Sequence, residues 1–181
     1  MNAIHFLIDV VFDLFLIVVL LRLWMQAVRA DFYNPMSQFV VKVTNPLITP
    51  LRTVIPSKGR WDLACLVLAY LIAVVKIMLL MKAMIGISPA ITDTLVLAFA
   101  LVISQFLSVL FWLVIIMAIM SWFSQGYNPM MAMLHQLTYP FLAPIRRIIP
   151  PIGGLDLSVL VLIIAIQFVR ILLSNLFGMG I

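Results

Sequence analysis

The chain has 181 residues, 66% of them hydrophobic and 9% charged, with a mean hydropathy of +1.27. A soluble domain is nearer half apolar and a quarter charged, and one of this size hides only about 70% of its chain surface, so the apolar excess requires lipid as solvent. A net charge of +5 with a single cysteine, Cys65, two histidines and no glutamate excludes a disulfide framework and a multi-thiolate metal site, and leaves few groups for acid–base chemistry.

The first apolar run, 4–28, is long enough for a helix crossing a hydrocarbon layer of ~30 Å. Asp9 and Asp13 interrupt it, no basic segment precedes it and no small-residue cleavage site follows. It is therefore expected to stay in the mature protein as a membrane span. Three more spans are expected at 63–85, 94–122 and 157–177, and their continuous apolarity argues against a β-barrel, whose strands alternate. The fold class is all-α, with four transmembrane helices.

Two longer connections, 29–62 and 123–156, hold Arg29, Lys42, Arg52, Lys58, Arg60, Arg146 and Arg147, whereas the short one, 86–93, has Asp93 and only Lys82 at its edge. The positive-inside rule puts the long connections in the cytoplasm, and both termini then face outward. Trp24, Trp61 and Trp122 fall where an interfacial aromatic belt is expected, and Arg22 reads as an anchor that snorkels towards the headgroups.

An internal repeat at an offset of about 94 residues is the most specific feature. Tyr33-Asn34-Pro35-Met36 recurs as Tyr127-Asn128-Pro129-Met130. Thr44, Pro46, Pro50, Arg52, Pro56, Gly59 and Asp62 recur as Thr138, Pro140, Pro144, Arg146, Pro150, Gly153 and Asp156. The chain thus divides into units 1–92 and 93–181, each a helix, a proline-punctuated connection (33–58 and 127–152) and a helix. Both units begin on the same side, so they are parallel repeats about an axis along the membrane normal.

Asn34 and Asn128 are candidate N-caps with Pro35 and Pro129 at the first helical position. Proline disfavours helix geometry just before itself, so short helices of about two turns are expected over Met36–Val43 and Met130–Leu137, interfacial or re-entrant. Arg52, Arg146 and the neighbouring Arg147 then sit within reach of anionic headgroups or a partner, or simply anchor the connection.

The doubled Asn-Pro…Pro-x3-Pro-x-Arg-x3-Pro-x2-Gly-x2-Asp pattern, covering nearly the whole chain, resembles the YggT family of small bacterial and plastid membrane proteins. The resemblance implies location more than chemistry: no enzymatic activity is attached to the family, plastid relatives are linked to cytochrome b6 haem maturation and nucleoid distribution, and bacterial relatives often sit beside cell-division genes. It transfers no catalytic residue.

Ionisable groups inside the spans are the other candidate site, because a charge in hydrocarbon is costly. Lys76 and Arg170 are repeat equivalents, and Lys76 falls roughly 11–13 Å and Asp13 about 13 Å from the outer ends of their helices, in one layer. Asp9 and Asp13, four apart, share a face. Asp13 is expected to pair with Lys76 or Arg170, and Asp9 with outer water or the second cation. Such a layer either fixes helix register or lines a polar path with Ser104, Gln105 and Gln167. His5 and His135 fall on opposite sides of the membrane with no second ligand spaced near either, and Cys65 reads as a small packing residue. No cofactor, metal or nucleic-acid partner is expected. The expected partners are anionic lipid, a second copy or another membrane protein. The favoured function is a non-enzymatic assembly or organising factor, and the alternative is a small ion or osmolyte channel.

Overall fold

The computed structural model describes residues 3–55, 61–86, 90–123, 128–149 and 156–178. These form α1 (Ala3–Ala27), α2 (Pro35–Val54), α3 (Leu63–Ile85), α4 (Ile91–Phe123), α5 (Pro129–Ile148) and α6 (Leu157–Phe177), with no strand among the described residues. Four of them, α1, α3, α4 and α6, are long and apolar enough to cross a membrane. Pro56, Gly59, Pro150 and Gly153 of the repeat motif lie outside the described residues.

The connections depart from the two-turn helices expected of them. Each is one helix of 20 residues that runs through two interior prolines, Pro46 and Pro50 in α2 and Pro140 and Pro144 in α5. An interior proline removes one amide donor and costs ~3 kcal/mol. Here the two rings of each pair are four residues apart, on one exposed face, while the opposite face packs. Val40, Thr44 and Ile48 are buried in α2, as are Leu134, Thr138 and Leu142 in α5. Threonines bond back onto their own helices on that packed face: the Thr44 hydroxyl donates to the Val40 carbonyl at 2.7 Å, and the Thr138 hydroxyl to that of Leu134 at 2.8 Å.

The ends of the helices follow local chemistry. Asn34 and Asn128 accept from the amides of Met36 and Met130, at 3.0 and 2.9 Å, with proline next in line. Asp62 and Asp156 cap α3 and α6, and Gly86 and Gly178 close them in the left-handed conformation. Helix α1 closes the same way, but with Arg29 at φ 55°. There the Ala30 amide donates to the Met25 carbonyl at 2.8 Å and the Arg29 amide to that of Gln26 at 3.2 Å, the paired bonds of a Schellman motif.

Helix α4, at 33 residues, is longer than the span expected at 94–122. At 1.5 Å per residue it measures about 50 Å, so it must tilt or stand out of the bilayer. It packs against both units. Its first half, with Ala98, Leu101 and Val102, packs on Ala73 and Ile77 of α3. Its second half, with Leu110, Val114 and Met117, packs with Leu134 and Leu137 of α5 and Leu162 and Ile166 of α6. Trp24 of α1 stacks on Phe106 between these halves, with ring centroids 4.3 Å apart. Trp24 is thus a core residue, 4% exposed, and not the belt residue expected of it, whereas Trp122 is exposed.

Candidate functional site

Three polar constellations interrupt the apolar bundle. The first is inside the spans of the first repeat. Lys76 is 6% exposed, and its Nζ stands 2.7 Å from Asp13 Oδ1 and 3.1 Å from Asp9 Oδ1. His5 Nδ1 is 3.3 Å from the other oxygen of Asp9. Asp9 and Asp13 therefore share one cation. Arg170, the repeat equivalent of Lys76, joins neither: among the described residues no carboxylate lies within 4.0 Å of it. Its Nη1 donates to Gln167 Oε1 at 3.2 Å, and its Nε is buried without a hydrogen-bond partner. Asp9 does not meet the second cation, Arg170, as the sequence allowed; it joins Lys76, with its side chain still one-third exposed. One turn separates Asp9 from Asp13, so both carboxylates converge on a single ammonium.

The second constellation surrounds Arg22, which does not snorkel outward. It is 5% exposed and turns into α2, where Nη1 donates to the Val41 carbonyl at 3.2 Å, Thr44 Oγ1 at 2.6 Å and Asn45 Oδ1 at 2.8 Å. One backbone carbonyl and two side-chain oxygens of α2 satisfy the buried guanidinium in place of the headgroups. In the second repeat the partner of Thr138 is instead the sulfur of Met117, at 3.0 Å.

The third constellation occurs twice. Arg52 Nε and Nη2 donate to Asp62 Oδ2, the former at 3.2 Å, and Arg52 Nη2 also reaches Gln26 Oε1 at 3.3 Å. Arg146 Nε and Nη2 donate to Asp156 Oδ2 at 2.9 and 2.6 Å. Each arginine thus ties the last turn of the connection helix to the carboxylate that caps the next span. Burial alone raises the Asp62 carboxyl, but hydrogen bonds from Arg52 and Cys65 outweigh it and hold it below the ordinary carboxylate range. Asp156 is held low in the same way, by Ser158 and Arg146 against burial. Cys65 is buried, its thiol donating to Asp62 Oδ2 at 3.0 Å. Arg147 stays exposed beside the second clamp. The clamps were missed in the sequence, though one signal was present: in both repeats the arginine and aspartate are ten residues apart.

A cavity of about 800 Å³ opens between the units at the end of the bundle that carries these arginines. Trp24, Phe106, Phe141 and Tyr139 line it with Arg29, Trp61 and His135. Among the described residues no three His, Cys, Asp or Glu side chains stand together as a metal site. The units also touch directly through Asn34 Nδ2, which donates to the Pro129 carbonyl at 2.8 Å, and through the Asp31 amide, which donates to Gln136 Oε1 at 3.2 Å.

Four spanning helices, two amphipathic connection helices and duplicated caps and clamps define a polytopic helical membrane protein built from two repeats. The profile of the CCB3/YggT family matches residues 1–83 and again 96–177, and the chain belongs to that family. An uncharacterised protein of Vibrio alginolyticus, from the proC 3′ region, is 51% identical over 98% of this chain and 97% of its own. The uncharacterised protein YggT of Escherichia coli K12 is 44% identical over 94% of this chain and 88% of its own. An uncharacterised protein of Pseudomonas aeruginosa is 43% identical over 90% and 84%. No solved structure matches the chain at a significant level.

Proposed function

We propose that this protein is a non-enzymatic organising factor of the bacterial inner membrane, holding a membrane complex or the division apparatus through its intramembrane surface. In this reading both long connections face the cytoplasm, where α2 and α5 lie in the interface and sink at their midpoints, and both termini face the periplasm. The observation that carries it is the closure of Lys76 on Asp9 and Asp13, which spends the charge layer of the first repeat on helix register. A conducting path needs its charges turned to water, and this ammonium is buried. The outer face of α6 meanwhile exposes Leu160, Ile164, Phe168, Ile171 and Leu172, a surface suited to lipid or another helix.

Ion flux from liposomes holding the purified protein under a salt gradient tests this reading. No flux is expected, from the wild type or from Lys76→Leu. Flux that the substitution alters would replace the organising role with a channel. In intact cells, a photo-crosslinker at Phe168 is expected to trap a discrete membrane protein, and adducts to lipid alone would count against the proposal.

A further inference from the structure

The cavity between the repeats combines features that the organising role does not require. Its inner wall is aromatic: Trp24 stacks on Phe106, and Phe141 lies 5.0 Å from Trp24 between ring centroids. At about 800 Å³ it is in the range of clefts that bury a small amphiphile, and it is open on one side. Its rim differs from its wall. Trp61, 59% exposed, stands where an indole marks the headgroup level, and Arg29 and His135 are exposed beside it.

Arg29 is the informative residue. It occupies the left-handed position that glycine fills at the ends of α3 and α6, at a cost of about 1 kcal/mol or more for a side chain with a Cβ. Among the described residues no carboxylate lies within 4.0 Å of its guanidinium. A glycine would close α1 without this strain, so the retained cation at the mouth of an apolar cleft points to a ligand.

We infer that this cavity binds one anionic phospholipid of the adjoining leaflet, with an acyl chain against Trp24, Phe106 and Phe141 and the phosphate at Arg29 and His135. Guanidinium and imidazole donate to phosphate oxygens, and the aromatic wall replaces contacts with neighbouring chains. The site does not rest on the organising role and stands even if the protein conducts ions.

The full chain with Trp61, Trp112 and Trp122 changed to Phe keeps Trp24 as its one indole. It is placed in vesicles of phosphatidylcholine with a minority of phosphatidylglycerol, one lipid at a time carrying brominated chains. Brominated phosphatidylglycerol is expected to quench Trp24 about fivefold more per mole than brominated phosphatidylcholine, and Arg29→Gln to bring the two together. Arg29→Gly, which suits the backbone, is expected to do the same and answers for a glutamine variant that fails to fold. Equal quenching by the two lipids, no quenching by either, or a preference that survives both Arg29 variants would overturn the assignment. Added inorganic phosphate is expected to leave the quenching unchanged. Its relief by phosphate would mark a soluble phosphate site in place of a lipid one.

Discussion

The two repeats carry the same structure at their helix ends and different chemistry inside the membrane. Both have an asparagine cap followed by proline, two prolines four apart, an arginine clamped to the next capping aspartate, and a threonine that bonds its own helix. Within the spans the first repeat has Lys76 held by two carboxylates and Arg22 turned into α2, while the second has Arg170 with no carboxylate near it among the described residues and Met117 where a cation would stand. The shared part is the set of groups that a chain needs to turn at a membrane surface with its backbone satisfied. The differing part is free of that demand, and it is where specialisation of one half against the other is legible.

The sharpest way to break this comparison is to remove the cations in turn. Lys76→Leu leaves Asp9 and Asp13 close together with no counter-ion and is expected to destabilise the bundle by about 3 kcal/mol, the lower end of the scale for a buried pair because the two carboxylate side chains are 33% and 36% exposed. Arg170→Leu removes a charge with no carboxylate beside it among the described residues and is expected to be neutral or slightly stabilising. Unfolding of both variants by a mixed-micelle titration, followed by circular dichroism, checks this. Equal losses would mean that Arg170 is held as tightly as Lys76.

Next in size is Arg22→Met, which gives the first repeat the second's solution. It leaves the Val41 carbonyl and Thr44 without their inward donor and is expected to cost about 2 kcal/mol by the same titration. The reciprocal Met117→Arg is expected to cost more, because Tyr139 follows Thr138 where Asn45 follows Thr44, so the new guanidinium finds no amide oxygen.

How much of this was legible in the sequence follows from what each feature depends on. The four spans, the repeat and the asparagine caps rest on local pattern, so apolar length and Asn-Pro dipeptides announced them. Counting residues along the helices left Asp13 with Lys76 or Arg170 as its partner, and only the packing of α1 on α3 selects Lys76. The continuity of α2 and α5 did not follow, because proline argues locally for a break and only the packing of Val40, Thr44 and Ile48 outweighs it. Arg22 and Trp24 were misplaced for the same reason: each has a residue type suited to the interface, and tertiary partners drew both inward. Arg29 gave no signal, since its conformation is fixed only by how α1 ends.

Acid should separate the clamps next. Both carboxyls titrate below their unfolded values, so each contributes stability in full above the ordinary carboxylate range, and the contribution is lost as pH falls through the folded value. Stability measured downward from about pH 5 is expected to fall, and neutralising a clamp to flatten the fall. The Asp62 side chain is wholly buried and that of Asp156 is 29% exposed. Arg52→Gln with Asp62→Asn should therefore flatten it more than Arg146→Gln with Asp156→Asn. The reverse order would mean that burial does not set the strength of the clamp.

The smallest expected effect concerns the helix ends and reaches beyond stability. Gly86 and Gly178 sit at φ 70° and 61° with nothing within 4 Å of an added Cβ, so alanine there meets no clash and is disfavoured by backbone conformation alone. Each substitution is expected to cost about 1 kcal/mol, and Arg29→Gly to gain about the same, read as shifts in the unfolding midpoint. A gain at position 29 would mean that the fold itself has no use for the arginine, so its place at the mouth of the aromatic cavity must be explained by what the cavity holds. A loss would mean that the side chain braces the end of α1, and the strain would then have a structural cause within the chain.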